Sequence, residues 1–192
     1  MRRAFVGVVT IALLALPSMR GLLEGMMIAH MLVQIPLLAV AGGLAVTALS
    51  PRQKARLASW NEGGVAGILM AIIASSWWMV PRALDWALLS PRMETLKFVS
   101  LPLFVGAPAA LSWPKLSGVA RGFVIANVLP MWTVVGWLYM AAPVRVCNFY
   151  LTDQQVTAGV GLLGASSALA VVAGVATLLT HTRPREQRLS FR

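Results

Sequence analysis

Residues 156–180 read VTAGVGLLGASSALAVVAGVATLLT, without one charged side chain. About 20 consecutive apolar residues in a helix cross the roughly 30 Å hydrocarbon core of a bilayer. A soluble helix of that length would keep a polar face for water. Here only scattered Ser and Thr break the apolar run, so the stretch reads as a membrane-spanning helix.

The rest of the chain repeats the pattern. Hydrophobic residues make up 58% of 192 and charged residues 11%, with a mean hydropathy of +0.77. A soluble domain carries about 25% charged residues to cover its surface. Further apolar segments fall at 4–17, 22–49, 63–80, 96–113 and 119–142. The expected fold is all-α, a polytopic transmembrane bundle of about six helices. It forms a single domain over residues 1–182, with 183–192 as a basic cytoplasmic tail. The first segment is short, and its basic start also suits a signal peptide. No small-x-small cleavage site precedes Arg20, so it reads as a retained helix. Residues 81–95 are mixed and amphipathic, and are expected at the membrane surface. Pro130 is expected to kink the fifth segment. Gly42-Gly43 and the glycines from 159 to 164 suit close helix packing.

Lys and Arg give the orientation. Eleven lie on the side of the N-terminus, the 50–62 and 114–121 loops and the C-terminus; five, including Lys97, lie on the other. Basic residues collect in cytoplasmic loops, so both termini are expected inside. The same rule explains the net charge of +10. A nucleic-acid partner is not expected, because little water-facing surface remains to hold a strand.

Cys147 is the lone cysteine, which excludes an intrachain disulfide, and two histidines are too few for a multi-histidine haem or metal site. Phosphate-loop, zinc-protease and nucleophile-elbow motifs are absent, so no enzyme is expected. The sequence shows no obvious intramembrane charge pair, which argues against a transporter. With the assigned orientation, unusual side chains gather toward the outer end. Met26, His30 and Gln34 are spaced four apart, which places them on one helical face, with Met31 on a neighbouring face. Met79 and Cys147 fall at the same end. Thioether, imidazole and thiol groups suit Cu(I). The plainer alternatives are Met as core filler and His30 as a hydrogen-bonding group between helices. Asp85 and Asp153 stand at helix borders, where capping is the ordinary role.

Three stretches carry a resemblance. The first is His30-Met31-Leu32-Val33-Gln34 with Pro36-Leu37-Leu38. The second is Trp78-Met79-Val80-Pro81, then Asp85-Trp86-Ala87-Leu88 and Pro91, running on to Phe98 and Trp113-Pro114. The third is Leu138-Tyr139, then Asp153-Gln154-Gln155 with Ala158-Gly159. In order and spacing they resemble the CtaG family, membrane proteins linked to cytochrome c oxidase assembly, over residues 26–160. The resemblance implies a bacterial cytoplasmic (inner) membrane protein. Its partners would be subunits of a haem–copper oxidase, and it would handle Cu(I) at the outer face through Met26, His30, Met31, Met79 and Cys147. Three family histidines are replaced, at Ile35, at Met79 and around Leu96-Lys97. The alternative is therefore a ligand-depleted structural or accessory subunit of a respiratory complex, without metal chemistry.

Overall fold

The computed structural model describes residues 2–181; the basic tail at 183–192 lies outside them. The described residues form nine helices. These are α1 (Arg2–Ala15), α2 (Pro17–Glu24), α3 (Met27–Ala48), α4 (Pro51–Trp60), α5 (Glu62–Trp78), α6 (Pro81–Leu89), α7 (Pro91–Lys115), α8 (Gly118–Ala141) and α9 (Thr152–His181). Prolines at or next to the first residue of α2, α4, α6 and α7 punctuate the chain. A proline there gives up no helical hydrogen bond and blocks the preceding helix from continuing. The α-helical membrane class is as the sequence indicates. Helices α3, α7, α8 and α9 are each long and apolar enough to cross a bilayer. The bent pairs α1–α2 (74°) and α4–α5 (65°) bring the number to six if each is one span.

Several boundaries differ from the sequence reading. Residues 22–24 belong to α2 rather than to the second span, because the chain breaks at Gly25-Met26 before α3. The fourth span begins at Pro91, not residue 96. Helix α6 is amphipathic and caps one end of the bundle, with Ala83, Leu84, Asp85 and Ala87 buried and Arg82, Trp86 and Leu89 exposed, while residues 91–95 belong to α7. Helix α8 runs through Pro130 without a break.

Close packing rests on small residues. A side chain on Gly42 would collide with the Pro102 backbone, and one on Gly106 with the Ala39 carbonyl, so α3 and α7 meet backbone to backbone. Gly136 and Gly159 do the same for α8 and α9. Gly161 packs on Ile28 and Leu32, whereas Gly164 faces open space and is not a packing residue. Small residues are what allow membrane helices to approach this closely.

Hydrogen bonds show which connections share an end. Asn61 joins Ser112, and Lys115 donates to the Asn61 carbonyl, so the α3–α5 connection lies beside the α7–α8 connection. At the opposite end Asp85 and Glu24 meet residues 148–150. The two ends differ in charge. Arg52, Lys54, Arg56, Lys115 and Arg121 mark the first, hereafter the basic end. The second holds Glu24, Asp85, Glu94 and Asp153 together with Arg20, Arg82, Arg92, Lys97 and Arg145, and is called the acidic end for its share of the acids.

Candidate functional site: a buried ion pair at the acidic end

Helix α3 starts irregularly. Met26 is extended and only then does the helix begin, and His30–Gln34 winds as a wide π-turn. A second π-turn spans Leu101–Gly106 in α7. Both end two residues before a proline, Pro36 and Pro108. A proline ring clashes with the carbonyl four residues earlier, and a wider turn relieves that clash. The four-residue spacing of Met26, His30 and Gln34 therefore does not put them on one face. His30 and Gln34 are fully buried, whereas Met26 is 49% exposed.

Between His30 and Gln34 lies the ammonium of Lys97, from the second turn of α7. The side chain is fully buried. Its Nζ stands 2.7 Å from Glu24 Oε1, 3.1 Å from His30 Nε2 and 3.2 Å from Gln34 Oε1. An ammonium has three protons to donate, and here three acceptors surround it. Gln34 Nε2 also donates to Glu24 Oε1 at 2.9 Å. The remaining protons follow from the partners. Because Lys97 can only donate, His30 Nε2 must accept, so the neutral ring carries its proton on Nδ1. Nδ1–H then donates to the Tyr150 hydroxyl at 2.9 Å, and that hydroxyl donates to the Glu24 carbonyl at 2.8 Å. Three regions distant in sequence, residues 24–34, Lys97 and Tyr150, thus close one network. Above it, Arg20 pairs with Glu94. A charge taken out of water is tolerable only when paired and hydrogen-bonded, and this pair is both.

The residues of the three sequence stretches hold the loop that covers this network. The Asp85 carboxylate accepts from Asn148 N (2.8 Å) and Phe149 N (3.4 Å). It is a buried loop anchor, not a helix cap. Gln155 accepts from Val146 N (2.8 Å) and donates to the Tyr139 carbonyl (3.0 Å). Trp78 Nε1 donates to Ser100 Oγ at 2.9 Å, fixing α5 against α7. Pro81 opens α6 and so sets where Asp85 falls. Asp153 is exposed in the first turn of α9, an acid at a helix N-terminus, and Gln154 is half-buried beside it.

Met31 of α3 and Cys147 of the loop are buried in the core, with Met79 packed against it. Cys147 is no outer port for a metal, since it is completely buried. Its thiol touches the Tyr139 hydroxyl at 4.0 Å. Burial, helped by the charge of Asp85, pushes the thiol up to about 12, so it stays protonated at neutral pH. Burial, with Glu24 nearby, likewise raises Tyr150. As placed, the five soft-ligand candidates do not fit Cu(I). The His30 Nε2 lone pair faces the Lys97 ammonium, Cys147 is enclosed in the core and Met26 is exposed, so they offer no ready soft-ligand set.

Sequence reading missed Glu24, Lys97, Tyr150 and Gln155 as site residues. It also counted Lys97 among loop charges and saw no intramembrane charge pair; Lys97 with Glu24 is one. A signal was available, because a Lys at the start of an apolar span, carried into the bundle, invites a search for its acid.

Fold and site together define a class: a multi-pass α-helical membrane protein with a neutralised polar centre near one end of its bundle. No protein-family model, curated protein or solved structure matches this chain.

Proposed function

We propose that this protein is a structural or accessory subunit of a respiratory membrane complex, a CtaG-like bundle that handles no copper. One observation carries the reading: the Lys97 ammonium stands among Glu24, His30 and Gln34 and takes up the His30 Nε2 lone pair that a metal would need. A built-in cation supplies the positive charge permanently and rigidly. The network then fixes α2, α3, α7 and the 142–151 loop to one another. The partner class comes from the sequence resemblance, which makes a haem–copper oxidase the complex to look for. The α8–α9 hairpin suits such a role, since its outer faces (Phe123, Val134, Trp137, Val171, Val172) are apolar and exposed.

Two measurements on protein from native membranes test this. Cu(I) titration with mass spectrometry should give no stoichiometric copper, and mild-detergent purification should bring down oxidase subunits. One bound Cu(I) per chain, lost in His30→Ala, would restore the copper-handling assembly factor. A chain recovered without respiratory subunits would remove the proposed partner.

A further inference from the structure

At the basic end an apolar groove of about 530 Å³ opens between α3, α5 and α7, roofed by α4. Its floor includes Gly42, Ala45, Pro102 and Phe104. The polar neighbour Asn61 is spent within the protein, donating to Ser112 Oγ and accepting from Gly67 N. The walls therefore offer an occupant only apolar contact, and the volume falls in the range of small-molecule sites, about 300–1,000 Å³.

The roof differs in character. The Ser50–Gln53 capping box nucleates α4, and every one of its residues is exposed. Leu57 and Trp60 turn toward the groove. At 100° per residue, Arg52 and Arg56 fall on one flank of that face and Lys54 on the other. Lys54 reaches back to the Thr47 carbonyl at 3.2 Å. A short helix with an apolar strip between basic flanks is the form that lies in a membrane interface and attracts anionic lipid. Lys115 and Arg121 add positive charge at this end, and Glu62 is the one acid there among the described residues.

We infer that the groove binds one anionic phospholipid, an acyl chain lying over Ala45 and Phe104 and the phosphate against Arg52 and Arg56. The combination argues for a lipid: the apolar volume has no polar group to satisfy, and the helix that roofs it carries Arg52 and Arg56 on one flank. A zwitterionic lipid would fill the groove and leave those cations without a net anionic partner. The site is independent of copper and of any oxidase partner.

Native mass spectrometry of the purified full chain, with phosphatidylglycerol or phosphatidylcholine of matched acyl chains, tests it. Phosphatidylglycerol should bind at one per chain and more tightly than phosphatidylcholine. Arg52→Gln with Arg56→Gln should weaken it by about fivefold for each cation removed and leave phosphatidylcholine unchanged. Ala45→Phe should exclude both lipids. Arg82→Gln with Arg92→Gln, exposed at the acidic end, should change neither. Equal binding of the two lipids, indifference to the Arg52 and Arg56 changes, or displacement by soluble glycerophosphate would overturn the site. So would a groove closed by a second copy of the chain.

Discussion

Lys97→Met tests whether the buried pair organises the acidic end. The substitution keeps the length of the side chain and removes its charge. Glu24 would then hold a carboxylate with only Gln34 to donate to it. Breaking one side of a buried ion pair costs about 3–5 kcal/mol, because an uncompensated charge remains. The Glu24 side chain is 11% exposed and can recruit some water, which favours the lower bound, about 3 kcal/mol. For a chain of this size that is a fall in melting temperature of about 6–12 °C. Glu24→Gln combined with Lys97→Met removes both charges together. That double variant should regain stability to within about 1 kcal/mol of the parent, since a neutral replacement of a buried pair is often tolerated. The assay is thermal and denaturant unfolding in one detergent, followed by circular dichroism. If Lys97→Met costs less than about 1 kcal/mol, or if the two substitutions simply add, the pair does not act as a unit and the reasoning fails.

Other expectations follow from the same contacts. Asp85→Asn should loosen the 142–151 loop by about 1–3 kcal/mol through lost charge-assisted bonds, read as faster proteolysis there; unchanged cleavage would refute the anchor. Cys147 should resist maleimide in the folded protein at neutral pH and react once denatured; rapid labelling would show the loop open. The folded thiol ionises above its unfolded value, so its stabilising contribution is complete below pH 9 and is lost as pH rises through about 12. Tyr150 is raised too and acts in the same direction, so stability should decline across that alkaline window, checked by unfolding at stepped pH. Gly106→Ala forces a methyl into the Ala39 carbonyl and should cost about 1–3 kcal/mol by unfolding; a neutral outcome would mean α3 and α7 can separate without penalty.

The amino-acid sequence by itself determined the solvent of this protein. Length and apolarity of a segment are local properties, so α3, α7, α8 and α9 were legible as membrane helices. So was the gathering of His30, Met31, Trp78 and Cys147 toward one end, because successive spans alternate direction. What the local pattern could not decide was which groups meet. Met26 left the expected face because the backbone is extended at Met26, between α2 and α3, and that break depends on backbone geometry rather than spacing. Lys97 and Glu24 are 73 residues apart, and Tyr150 lies 120 residues from His30. Only the packing of α3 against α7 and the folding back of the 142–151 loop bring them within hydrogen-bond reach. A charge read along the chain belongs to a loop or a helix; its partner is chosen in three dimensions, where burial makes an unpaired charge too costly to keep.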